Sequence, residues 1–161
     1  LADGTIEPSV DIYQRLVRET SRLRRLVNDL QDLSQAEAGY LPIRIEKLDL
    51  RPLLRSLVAK FSDQRLEEGP TLELECPADL PFVQADPERV EQVLMNLLGN
   101  ALRYTQEGSI TVRAFHEGKK VWIAVIDTGI GISTDDLPHV FERFWRSDRS
   151  RDRASGGTGV G

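Results

Sequence analysis

The chain has 161 residues, 40% of them hydrophobic and 29% charged, and a formal net charge of −5. That composition suits a soluble globular fold with a sizeable core, and the acidic balance argues against nucleic-acid binding as its main business. A single cysteine, Cys76, permits neither an internal disulfide nor a thiolate metal cluster, which suits a reducing, cytoplasmic compartment.

No apolar run approaches membrane-spanning length, and the opening LADGTIEP is not a signal peptide, so no membrane contact is expected of this stretch. It does not begin with methionine and reads as a piece of a longer protein. Residues 9–39 carry a heptad seam: Leu16, Leu23 and Leu30 lie seven apart, as do Leu26 and Leu33, with Ile12, Tyr13 and Val27 beside them. Such a seam wants a partner helix, and a homodimer through it is expected. Arg15, Arg18, Arg22, Arg24 and Arg25 make the rest of the helix basic, as a solvated face or as a docking surface for an acidic protein. Gly39 supplies a stop and Pro42 keeps the helix from resuming. The domain boundary is therefore placed near residue 40, dividing the chain into 1–40 and 41–161.

Residues 44–50 alternate as a strand. Residues 51–69 read as an amphipathic helix through Leu53, Leu54, Leu57, Val58 and Phe61, ended by Gly69 and Pro70, and residues 71–77 alternate again. A proline-bounded loop leads to DPERVEQVLMNLLGNALRYT, residues 86–105. Asp86 caps this helix and Pro87 fits its first turn. Val90, Val93, Leu94, Leu97, Leu98, Ala101 and Leu102 form one broad apolar face. Asn96, Asn100 and Arg103 cluster within roughly 60° of each other, well away from that face. They are either ordinary solvated polar residues or a deliberate polar strip.

Residues 109–127 read as a hairpin turning at Gly118. Its second arm, apolar on both sides from Val121 to Ile126, is expected to be an interior strand. The order of helices and strands points to an α+β fold, a two-layer sandwich of helices on a mixed sheet. The second arm runs into DTGIGIS, which by itself is either a simple glycine turn or a ligand-reading one, in which Gly129 and Gly131 let the backbone turn tightly and approach a flat ligand and Asp127 offers a carboxylate suited to an adenine amine. Ser133 caps a short helix with Asp135 and Asp136 in its first turn. Phe141, Phe144 and Trp145, interleaved with Arg143 and Arg146, form an apolar anchor bearing cations. A polar stretch then closes on GGTGVG, whose amides suit phosphates.

Taken together, these stretches resemble the ATP-binding domain of sensor histidine kinases of two-component systems, the Bergerat-type nucleotide fold. The likeness covers roughly residues 44–161, with the preceding helix similar to the second half of that family's dimerisation hairpin. NLLGNALRYT resembles the N box, DTGIGI the first glycine box, FERFWR the F box and GGTGVG the second glycine box. The resemblance implies that Asn100 coordinates a magnesium bridging the triphosphate, with Asn96 beside it on phosphate or metal. Arg103 stands where the family usually has a lysine facing the phosphates, which keeps the charge and changes its geometry. Tyr104 packs near the adenine or ribose, Asp127 accepts the adenine amine, Gly129 and Gly131 give room, and Ile132 packs on the ring. Residues 133–157 form the ATP lid, pinned by Phe141 and Phe144, while Arg146 meets the γ-phosphate. Gly157, Thr158, Gly159 and Gly161 bring backbone amides to the phosphates.

The resemblance further implies a phosphotransferase that moves the ATP γ-phosphate to a histidine and from there to an aspartate on a response regulator. It is compatible with a membrane-anchored parent. Neither His116, in a hairpin arm, nor His139, at the lid's entry, has the sequence context of the phosphoacceptor. The acceptor helix is expected before Leu1, and a further helix and strands after Gly161, leaving this piece of the fold incomplete at its C-terminus and inactive alone. Two rival readings stand beside this one. One is a non-catalytic dimerising interaction fragment. The other is a hydrolytic ATPase of the same fold, disfavoured because the position four before Asn100 holds Asn96, which cannot act as a general base.

Overall fold

The structure is a computed structural model that describes residues 9–63 and 69–142. Two compact units divide the chain: Leu1–Pro42 with Val140–Gly161, and Ile43–His139. In the first, helix α1 (Val10–Glu37) begins where the Ser9 hydroxyl accepts the Ile12 amide, a side-chain cap for a helix end that has orphan donors. It stops at Gly39, whose φ of 71° is the left-handed conformation a helix terminus favours. Leu16, Leu23 and Leu30 of the heptad seam are exposed along it, and Leu26 and Leu33 are half-buried.

The second unit contains strand β1 (Glu46–Leu48), helix α2 (Leu50–Asp63), strands β2 (Thr71–Glu75) and β3 (Val83–Ala85), helix α3 (Pro87–Tyr104), and strands β4 (Ser109–Glu117) and β5 (Lys120–Asp127). Its core is built from α2 (Leu50, Leu54, Leu57), α3 (Leu94, Leu98, Ala101), β4 (Ile110, Val112, Ala114) and Leu80. These residues bring the two helices onto one face of a three-stranded mixed sheet, order β2-β4-β5, with β2 parallel and β5 antiparallel to β4. This is the expected two-layer α+β architecture.

Four details differ from the sequence reading. The strand expected over residues 44–50 shrinks to Glu46–Leu48. Asp49 accepts the Arg51 amide at 3.0 Å and starts α2 at once, so Leu50 enters the helix and the core. The proline-bounded loop contains β3, which pairs antiparallel with β1 as a separate two-stranded sheet, and Lys47 lies 4.5 Å over the Phe82 ring beside it. Strand β5, expected in the interior, is an edge strand among the described residues, and β4 takes the middle place because β2 pairs with its other side. Trp122 and Ile126 of β5 are accordingly exposed on the face opposite the core, Trp122 stacked on Phe115 with centroids 6.5 Å apart. Finally, the buried face of α3 is narrower than its periodicity suggests, since Val93 is 57% and Leu97 44% exposed.

Candidate functional site

The last turn of α3 and the loop after β5 meet through a small set of hydrogen bonds. Thr105 ends α3, its amide donating to the Ala101 carbonyl, and its side chain is 1% exposed. Strand β5 ends at Asp127, whose Oδ1 accepts the Gly129 amide at 2.9 Å and the Thr105 hydroxyl at 3.4 Å. One step further the Ile130 amide donates to the Tyr104 carbonyl at 3.2 Å. Below this, Thr128 ties the loop to the start of β4: its amide donates to the Ser109 carbonyl, and its hydroxyl accepts the Ser109 amide at 3.0 Å.

Glycine is required at 129 by close approach. A Cβ there would lie 2.5 Å from the Tyr104 carbonyl oxygen and 2.8 Å from both Asp127 Oδ1 and Thr105 Oγ1. The requirement at Gly131 is different: space is open around it, but its φ of 67° is left-handed. The loop therefore leaves the sheet pressed against the end of α3 and then turns sharply, with Ile130 and Ile132 exposed beyond it.

Asn96, Asn100 and Arg103 share one side of α3, off the core face formed by Leu94, Leu98 and Ala101. Asn96 is half-buried and Asn100 and Arg103 are exposed, and none of the three makes a side-chain hydrogen bond among the described residues. Half-buried Tyr104 follows directly, so the polar strip runs into the residue whose carbonyl holds the loop. The helix itself is anchored at its other end by Asp86. This buried carboxylate accepts the Glu88 and Arg89 amides with one oxygen and the Arg44 amide with the other. The Arg44 amide above all, followed by those of Arg89 and Glu88, holds the Asp86 carboxyl below its ordinary range, against the opposing effect of burial.

Of the residues singled out from sequence, Tyr104, Asp127 and Gly129 are thus joined at one place, with Asn96, Asn100 and Arg103 on the same helix and Gly131 and Ile132 on the same loop. After the loop, the Ser133 hydroxyl accepts the Asp136 amide at 3.2 Å, and the expected short helix is a 3-10 turn over Leu137–His139. Phe141 belongs to the other compact unit and is 97% exposed. Phe144, Arg146, Gly157, Thr158, Gly159 and Gly161 lie outside the described residues. Sequence reasoning passed over Thr105. Its sole signal was a threonine closing the helix, which reads as punctuation.

Chemically, the arrangement pairs a fixed carboxylate at the mouth of a glycine turn with amide oxygens and a guanidinium further along one helix. Among the described residues no cluster of three His, Cys, Asp or Glu side chains could hold a metal ion. No described helix is long and apolar enough to cross a membrane.

Comparison with known proteins bears on the family and the fold. Residues 85–161 match the family of histidine kinase-, DNA gyrase B- and HSP90-like ATPases. The sensor histidine kinase MtrB of Mycobacterium leprae is 35% identical over 159 residues, which cover 99% of this chain and 28% of MtrB. The signal transduction histidine-protein kinase BaeS of Escherichia coli is 36% identical over 162 residues, covering 100% of this chain and 34% of BaeS. The chain thus spans about a third of the length of these relatives. Among solved structures, histidine kinase AdeS of Acinetobacter baumannii superposes with a TM-score of 0.78 at 28% identity, covering 89% of this chain and 71% of that one. Full-length ShkA in complex with AMPPNP gives the same TM-score and identity over 99% of this chain and 33% of that one. From the matched residues, the architecture and these relatives together, residues 85–161 carry a histidine kinase-, DNA gyrase B- and HSP90-like ATPase domain, and the chain fits the ATP-binding catalytic portion of a sensor histidine kinase, with the Bergerat fold.

Proposed function

We propose that this chain holds ATP with magnesium and presents the γ-phosphate to a histidine that it does not itself contain, for relay to a response-regulator aspartate. The observation that carries the nucleotide reading is the Asp127 carboxylate. One of its oxygens is satisfied by the Gly129 amide and the Thr105 hydroxyl, and the other has no partner among the described residues. An exposed carboxylate held in this way is an oriented acceptor for a purine amine. Asn100 and Asn96 supply neutral amide oxygens, too few to hold magnesium alone but suited to a magnesium ion that arrives with the triphosphate. When bound, that ion neutralises phosphate charge. Arg103 adds a cation on the same helix, and Tyr104, Gly131 and Ile132 border the base. Phe141, Phe144, Arg146 and the glycines 157, 159 and 161 with Thr158 are assigned to the lid and the phosphate contacts by the family resemblance of their sequence motifs. With Asn96 where a general base would be needed, transfer to an imidazole is favoured over hydrolysis.

The test is calorimetric titration of a non-hydrolysable ATP analogue, with and without magnesium, on the chain and on Asp127→Asn and Asn100→Ala. The amide of Asp127→Asn turns a donor either toward the Gly129 amide or toward the purine amine, so affinity should fall at least ten-fold. Asn100→Ala should remove the magnesium dependence first. Binding that ignores both substitutions would sink the proposal. The exposed Leu16, Leu23 and Leu30, with Leu26 and Leu33 beside them, also support a homodimer through α1. Sedimentation at high concentration should find a dimer, and a monomer there would refute it.

A further inference from the structure

We infer that Thr105 is a positioning residue for purine selection, acting through Asp127; the inference rests on the nucleotide reading above and deepens it. Thr105 is a threonine with 1% exposure whose hydroxyl donates to the oxygen of Asp127 that also takes the Gly129 amide. Two donors converge on Oδ1 from different elements, one from the end of α3 and one from the loop. A single donor would leave the carboxylate free to rotate about it; a second, at 3.4 Å, restricts that rotation and leaves Oδ2 without a partner among the described residues, available as the acceptor. The crowding agrees, since the space beside Gly129 is bounded at 2.8 Å by both Oδ1 and the Thr105 hydroxyl oxygen. Asp127 is itself exposed, so its orientation rests on these bonds, one of them to buried Thr105 and one to half-buried Gly129.

Thr105 touches no ligand in this scheme. Its effect is confined to the hydrogen bond that Asp127 makes, and it should appear as discrimination between purines and not as general affinity. The experiment compares binding of the ATP analogue with that of the matching purine ribonucleoside triphosphate lacking the 6-amino group, on the unaltered chain, Thr105→Val and Thr105→Ser. The unaltered chain should prefer the amino compound. Thr105→Val should lose roughly three- to ten-fold in affinity for ATP and little for the analogue without the amine, and Thr105→Ser should restore the preference.

Equal losses for both nucleotides in Thr105→Val would mean that Thr105 only supports the loop, and no loss would mean that the bond is idle; either overturns the inference. Thr105→Ala, which removes the hydroxyl without placing a second methyl beside the carboxylate, must give the same selective loss. Should both of these variants unfold by circular dichroism, a folded Thr105→Ser lacking the preference would overturn the inference, and one retaining it would support the hydroxyl's role. An unaltered chain that binds both nucleotides equally would show instead that Asp127 does not read the amine, a failure of the underlying reading that is seen before any variant is made.

Discussion

Asp86 Oδ2 accepts the backbone amide of Arg44 at 2.8 Å, fastening the segment that enters β1 to the N-terminus of α3. The same carboxylate caps the helix through the Glu88 and Arg89 amides at 3.0 and 3.3 Å. Because these bonds need the ionised form, the folded carboxyl titrates below its unfolded value of about 3.9. The native state then binds fewer protons than the unfolded one. The stabilisation is fully present above that unfolded value and is lost as pH falls through the lower folded one. Urea midpoints should therefore drop below pH 4, and Asp86→Asn, which still caps, should show a shallower acid drop. An identical acid profile in the variant would assign the effect to other groups.

Neighbouring leucines on α3 should behave oppositely. Leu98 is 1% exposed and Leu97 44%. Leu98→Ala leaves a cavity in the core cluster that also holds Leu54 and Ile110 and should cost about 2–5 kcal/mol. Leu97→Gln should stay within about 0.5 kcal/mol. Chemical denaturation of the two variants checks the width of the buried face.

The two loop glycines should differ in kind. Gly129→Ala drives a methyl into the Tyr104 carbonyl, which as backbone cannot swing aside, and should cost about 1–3 kcal/mol together with a large loss of nucleotide affinity. Gly131→Ala meets open space and incurs only the left-handed backbone penalty, about 1–2 kcal/mol, with a smaller effect on binding. Equal nucleotide affinities in the two would contradict the close approach at Gly129.

Much of this was legible in the residues. The Ser9 and Gly39 ends of α1, the Asp86 cap, the Gly118 turn and the α2 face are local matters, decided by a few neighbouring side chains. What escaped was decided at a distance. The three-residue strand β3 carries no period of its own, and only its pairing with β1, Ala85 opposite Glu46, makes it a strand. Apolar character on both faces suggested that β5 was interior, yet position in a sheet depends on which partner β2 chooses, and it chose β4. Periodicity likewise located the apolar stripe of α3 without giving its width, so Val93 and Leu97 were assigned to the core. For the site, the glycine turn was readable from spacing and the part given to Asp127 came from the family resemblance, whereas the contact of Thr105 with Asp127 is visible only where α3 meets the loop.

The mixed pairing of the sheet also sets an order of assembly. Strands β4 and β5 meet across a two-residue turn, Glu117 opposite Lys120, and such a hairpin closes within about 1–10 μs. Strand β2 pairs with β4 in parallel, Thr71 opposite Ser109, across a connection that contains the whole of α3, a longer closure that is expected to be slower. Asp127 arrives with the early hairpin, while Asn96, Asn100 and Thr105 arrive with the late crossover. A chain with only the hairpin formed would lack part of the proposed nucleotide site. If the contacts between α3 and the loop form after the folding barrier, ATP should slow unfolding and leave the folding rate nearly untouched.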